Sequence, residues 1–127
     1  IYMKIAKIIV KTKNNKYPII VGSDLVKNFL NIVKKNSLNF NKCLLIVDTK
    51  VPKKFVKEIK LSLSKKKQFI YLFNSKEINK NVKNLNKILE ILLQKNFHRN
   101  DCLISIGGGI TGDISGFAAS IFKRGIK

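Results

Sequence analysis

The chain has 127 residues and carries 26 basic against 7 acidic side chains, a net charge of +19. That length suits one domain with a real core, no apolar run reaches a membrane span, and the opening Ile1-Tyr2-Met3-Lys4 has no signal-peptide pattern, so a cytoplasmic protein is expected. The charge alone would suggest nucleic acid, but lysines are scattered along nearly the whole chain and arginine, the residue that reads guanine and phosphate by two-point contact, occurs only at 99 and 124, so a solvated surface is expected and no specific nucleic-acid site.

Taken in order, residues 4–10 are rich in β-formers, and Lys11 to Lys16 make a polar turn. Tyr17 to Val21 reads as the returning strand of an antiparallel hairpin. Gly22-Ser23-Asp24 combines a turn with an N-cap signal. Leu25, Val26, Phe29, Leu30 and Val33 then recur on one helical face, which Asn36 to Asn41 ends. Cys43-Leu44-Leu45-Ile46-Val47 is a continuous apolar run, the pattern of a strand buried on both faces of a parallel sheet. Pro52 suits the first turn of a helix whose stripe is Phe55, Val56, Ile59 and Leu63. Phe69 to Phe73 is a second such strand, and Val82, Leu85, Ile88, Leu89, Leu92 and Leu93 mark a long amphipathic helix. Cys102 to Ile106 is a third. Cys43 and Cys102 lie within apolar runs without metal-ligand or disulfide spacing, so both are expected in the core of a protein kept reduced. The order predicts one α/β, Rossmann-like domain over residues 1–127: a parallel sheet with helices on both faces and an N-terminal hairpin.

Directly after the third strand comes Gly107-Gly108-Gly109-Ile110-Thr111-Gly112-Asp113, leading into a helix through Ile114, Phe117, Ala118 and Ile121. Glycines 107, 109 and 112 match G-x-G-x-x-G in the strand–turn–helix setting that gives this pattern its meaning. Such a turn lets backbone N–H groups approach a phosphate, and the helix start adds partial positive charge. Gly112, Gly116 and Ser120 are spaced to form a small-residue face, expected to let this helix pack close to the sheet. The ribose-binding acid that usually follows such a turn by some 20 residues is missing. Asp48, ending the first parallel strand, is the candidate in its place; it would serve equally well as a cap for its own turn.

The stretch from Gly107 to Ala119, followed by Arg124-Gly125, closely resembles the 3-dehydroquinate synthase pattern G-G-G-V-x-G-D-x-x-G-F-x-A with R-G beyond it. Tyr17-Pro18-Ile19, Val47 to Val51 and Glu77-Ile78-Asn79-Lys80 also resemble family landmarks. The resemblance implies NAD as cofactor, with Asp48 and Lys50 near the adenosine ribose and Glu77 and Lys80 on the dinucleotide. Gly107, Gly108, Gly109, Ile110, Thr111 and Gly112 would cradle the diphosphate, with Asp113 on the nicotinamide side. Arg124 would meet substrate phosphate across a homodimer interface. The family converts a heptulosonate 7-phosphate to 3-dehydroquinate and phosphate in the shikimate pathway, using zinc or cobalt held by a further helical domain. No metal ligands and no catalytic residues are expected within these 127 residues, which are expected to be inactive alone. His98 has no ligand partner and reads as a surface residue. The family loop P-x-G-E-x-x-K-S stands here as Asn74 to Asn81, without its proline, glycine and serine, and Lys50 replaces a common asparagine. A glycerol-dehydrogenase-like oxidoreductase domain and a noncatalytic remnant are the alternatives.

Overall fold

A run of side chains with no polar member can be stable in a strand only if both faces of that strand are covered. In the computed structural model, which describes residues 5–36, 38–122 and 125–127, this strand is the centre of the fold. An N-terminal hairpin pairs β1 (Ile5–Lys11) with β2 (Lys16–Gly22) in antiparallel register, Ile8 opposite Ile19. A short 3-10 turn (Val26–Asn28) leads into α1 (Phe29–Lys35). Then follow β3 (Lys42–Asp48), α2 (Lys53–Ser62), β4 (Lys67–Phe73), a second 3-10 turn (Glu77–Asn79), α3 (Val82–Gln94), β5 (Cys102–Ile106) and α4 (Gly109–Ile121).

β3, β4 and β5 form a parallel sheet in the order β4-β3-β5, separate from the hairpin. Residues 43 to 48 of β3 are all buried. On one face Leu44 and Ile46 join Phe73 at the end of β4, Phe97 in the connection before β5, and Ile88, Leu92, Ile114 and Ala118 from the inner sides of α3 and α4. On the other, Cys43, Leu45 and Val47 meet Ile59 and Leu63 of α2 and its end, with Phe29, Leu30 and Val33 of α1. This is the expected Rossmann-like arrangement with helices on both faces. Cys43 and Cys102 face each other across the β3–β5 pair as free thiols, and burial pushes them up to about 11 and about 12, well away from thiolate reactivity.

Two local expectations fail. Asp24 does not cap the first helix: it takes a left-handed φ of 57°, and the 3-10 turn starts after Leu25 without a side-chain cap. The Gly112–Gly116–Ser120 face does not pack on the sheet. All three are exposed, and a methyl group placed on either glycine would meet nothing within 4 Å. The sheet side of α4 is made instead by Thr111, Ile114, Ser115 and Ala118.

Asp101, which the pattern leaves in a polar connection, is a buried structural acid at the amino edge of the sheet. It accepts hydrogen bonds from the backbone N–H of Lys42 (3.2 Å) and of His98 (2.8 Å), and the Lys42 ammonium lies 3.6 Å away. Replacing Asp101 with Ala removes the acceptor from two part-buried N–H groups, and urea unfolding should show a loss of about 1–3 kcal/mol.

Candidate functional site

In an open parallel sheet, ligands bind beyond the carboxyl ends of the strands, where successive strands depart to opposite sides. Here β3 is followed by β4 on one side and β5 lies on the other, so that point falls between the ends of β3 and β5. Val47 pairs with Ile106, which sets Asp48 level with Gly107. Phe73 pairs with Asp48, which sends the chain after β4 to the same edge. Parallel register thus gathers three separated segments: 48–50, 74–81 and 107–113.

Gly107 is there because nothing larger fits. Its φ is 155°, and a Cβ would stand 2.8 Å from the Asp48 Cβ and 2.9 Å from the Thr111 hydroxyl oxygen. Gly108 caps α4 in extended conformation, and the first helical hydrogen bond within the turn runs from the Gly112 N–H to the Gly108 carbonyl at 3.0 Å. The N–H groups of Gly109, Ile110 and Thr111 are left without an intrahelical acceptor and sit at the positive end of a 13-residue helix with no acid in its first turn. Gly107, Gly108 and Gly109 are exposed, and an added methyl at Gly108 or Gly109 would meet open space. The Thr111 side chain is wholly buried beneath the turn, so it can contribute to a bound anion only through its backbone. Its hydroxyl has no partner among the described residues.

Asp48 is 8% exposed. Its Oδ2 accepts from the Ser75 hydroxyl at 2.6 Å and its Oδ1 from the Lys50 N–H at 3.0 Å. The Ser75 bond first, then the Lys50 amide and the Lys50 charge, lower its pKa from the ordinary carboxylate value. Asp48 thus closes its own turn, and it also stands beside the first glycine of the turn. The Lys50 side chain is exposed.

The 74–81 loop, without the family's proline, glycine and serine, is held by hydrogen bonds of its own. Lys76 is extended, so no glycine is needed there. Asn79 donates to the Asn74 carbonyl at 3.0 Å, and Asn84 to the Asn79 carbonyl at 2.7 Å. Asn81 accepts from the Asn84 N–H at 2.9 Å as the N-cap of α3, a task that serine would also perform. Lys80 lies 2.8 Å from Glu77 and 3.5 Å from Asp113, and the Glu77 hydrogen bond and charge raise its pKa. Two recesses are lined in part by residues of these three segments. One, of about 750 Å³, opens beside Asp48 between α2 and β4; the other, of about 370 Å³, lies between Lys80 and Leu85 on one side and Asp113 and Phe117 on the other.

Arg124 lies outside the described residues. His98 is exposed, and no group of three His, Cys, Asp or Glu side chains among the described residues could hold a metal ion. Nor is any described helix long and apolar enough to cross a membrane. Ser75 is the site residue that sequence reasoning missed. Its chain distance from Asp48 hides the contact, which only the parallel register reveals.

Residues 70–127 match a family model described as 3-dehydroquinate synthase N-terminal. The chain is 53% identical over 125 residues to the 3-dehydroquinate synthase of Pelagibacter ubique, covering 98% of this chain and 34% of that protein. It is 35% identical to the synthase of Prochlorococcus marinus, covering 95% and 34%. The chain therefore spans about a third of the length of these relatives. Its fold matches 2-deoxy-scyllo-inosose synthase, crystallised with carbaglucose-6-phosphate, NAD+ and Co2+, at a TM-score of 0.83 and 20% identity over 95% of this chain and 33% of that one. The 2-epi-5-epi-valiolone synthase of Streptomyces hygroscopicus, with NAD+ and Zn2+ bound, matches at 0.73 and 19% over 92% and 32%.

Two glycine substitutions separate packing from binding. Gly107→Ala should destabilise the chain by about 1–3 kcal/mol, because backbone and the Asp48 Cβ must move. Gly112→Ala, on an open helical face, should leave thermal unfolding unchanged or slightly raised. Acid titration supplies a third check. A lowered carboxylate pKa adds stability that is present above the unfolded value, about 4, and is lost as pH falls through the folded value. Asp48→Asn should remove that part of the pH dependence.

Proposed function

The chain belongs to the 3-dehydroquinate synthase family, and from that premise we propose that it is the NAD-binding portion of such a synthase. The observation that carries the reading is the contact of Gly107 with Asp48, which joins an anion-binding helix start to a hydroxyl-accepting carboxylate at one sheet edge. The residues fit the group. The diphosphate lies over Gly107 to Gly112 and accepts from the free N–H groups at the start of α4. Asp48 accepts from the adenosine ribose hydroxyls, with Lys50 at its side. The other end of the dinucleotide turns toward Glu77, Lys80 and Asp113. A strongly positive chain adds a general attraction for a diphosphate, even though three of the seven acids stand at this edge.

NAD, when bound, would supply reversible hydride transfer for the temporary oxidation of a secondary alcohol of the heptulosonate phosphate. The chain's own part is to bind and orient the dinucleotide. The divalent metal of the reaction and most substrate contacts belong to the helical domain of the family, and Arg124 is the residue of this chain assigned to substrate phosphate, within a homodimer. The setting is cytoplasmic aromatic amino-acid biosynthesis.

Isothermal titration of the 127-residue chain with NAD tests this directly. Saturable one-to-one binding is expected, weakened at least about tenfold by Gly112→Ala, since an added methyl obstructs approach of the phosphate without unfolding the helix. Absence of binding at millimolar NAD would refute the reading. Incubation of the same chain with the heptulosonate phosphate, NAD and zinc should yield no 3-dehydroquinate; product formation would show that the metal site lies within these residues.

A further inference from the structure

We infer that Ser75 is a positioning residue for the cofactor acid: its hydroxyl, with the Lys50 N–H on the other oxygen, holds the Asp48 carboxylate in a fixed orientation beside the glycine turn. The inference rests on the NAD reading above and adds to it a residue at a variable position of the 74–81 loop, to which the resemblance assigns no role. A carboxylate offers two acceptor positions on each oxygen. One on Oδ2 is taken by Ser75 at 2.6 Å and one on Oδ1 by the Lys50 N–H at 3.0 Å. The two partners come from different segments, so the carboxylate is fixed at both oxygens. Gly107, where an added Cβ would stand 2.8 Å from the Asp48 Cβ, keeps the glycine turn beside this fixed carboxylate. Fixing the acid before the ligand arrives removes a freedom that binding would otherwise have to remove.

The same contact ties two parts of the site into one. Ser75 begins the loop that carries Glu77 and Lys80, and Lys80 reaches Asp113 on α4 at 3.5 Å. One short loop therefore grips the end of β3 and the second turn of α4 together. Charge around Asp48 cannot substitute for this contact. Lys50 stands on its own segment, and Lys53 and Lys57 of α2 line the neighbouring recess, but these are ammonium groups without a hydrogen bond to the carboxylate among those described. The facing turn contributes Gly107 and Thr111, which are uncharged, and Glu77, Lys80 and Asp113 engage one another.

NAD titrations of the chain from pH 8 down to below 3.8, the ordinary carboxylate value from which Asp48 is lowered, test the inference with Ser75→Ala, Ser75→Thr, Asp48→Asn and the double variant Asp48→Asn/Ser75→Ala. Ser75→Ala should bind NAD about tenfold more weakly at neutral pH, as expected for losing a hydrogen bond to a charged group. The pH at which affinity falls on the acid side should rise, because Asp48 loses the partner that most lowers its pKa. Ser75→Thr should restore both, and Ser75→Ala should add no loss in the Asp48→Asn background. Wild-type affinity in Ser75→Ala, or a loss independent of pH and equal in the Asp48→Asn background, would overturn the inference and leave Ser75 a simple loop tether. If Ser75→Ala does not fold, Ser75→Cys keeps the volume with a weaker donor and is judged by the same outcomes. If the wild-type chain binds no NAD, the cofactor reading fails by itself. Carboxyl NMR titration of Asp48 then decides the positioning, and identical curves in wild type and Ser75→Ala would overturn it.

Discussion

Everything at this edge depends on how closely β5 approaches β3. The parallel register puts Gly107 level with Asp48, and the absence of a side chain at 107 lets the backbone pass within van der Waals reach of the Asp48 Cβ and the Thr111 hydroxyl. A side chain there would push the turn away from the strand end and tilt the start of α4. The helix N-terminus and the carboxylate would then no longer lie side by side at the sheet edge. A single glycine thus converts two common features, a helix start and a strand-terminal acid, into one site of mixed polarity. That pairing suits a dinucleotide, which brings a diphosphate and ribose hydroxyls a few bonds apart.

Around that contact, local chemistry supplies orientation. Asp48 is held at both oxygens, Asn81 caps α3, and the Glu77–Lys80–Asp113 chain spans from the loop to α4. The exposed ion pairs add little to stability, since solvent screens them. Their effect is on placement: they hold charged groups where a ligand would meet them. Many of the lysines serve the surface in another way. Lys42, Lys66 and Lys95 lie within about 5.5 Å of the ring centres of Phe97, Phe40 and Phe69, their stems covering apolar edges, which accounts for part of the basic surface without a polyanionic partner.

The layers of the fold were legible because burial leaves a one-dimensional trace. The unbroken apolar run of β3 announced a central strand, and the stripe from Val82 to Leu93 announced α3. The glycine turn was legible because its chemistry is local. What the sequence could not display were the relations fixed by tertiary register. Ser75 meets Asp48 only because β4 and β3 end together. The small residues of α4 reveal that one helical face is narrow, but not which way it points; here it points outward. Asp24 has the composition of a cap, yet the backbone enters a left-handed turn there and begins the helix later. The altered 74–81 loop is held by its own asparagines: Asn79 and Asn84 bond backbone carbonyls within it, and Asn81 caps α3.

The central claim is that the edge joining Asp48 to the Gly107–Asp113 segment receives the dinucleotide. The most direct measurement is amide NMR of the chain with and without NAD. The account predicts that the largest shifts fall on residues 107–113, with smaller ones at 48–50, 75 and 80, and that the hairpin and the amino edge near Asp101 stay unchanged. Shifts concentrated on the hairpin or spread evenly over the lysine-rich surface, with residues 107–113 unmoved, would contradict it.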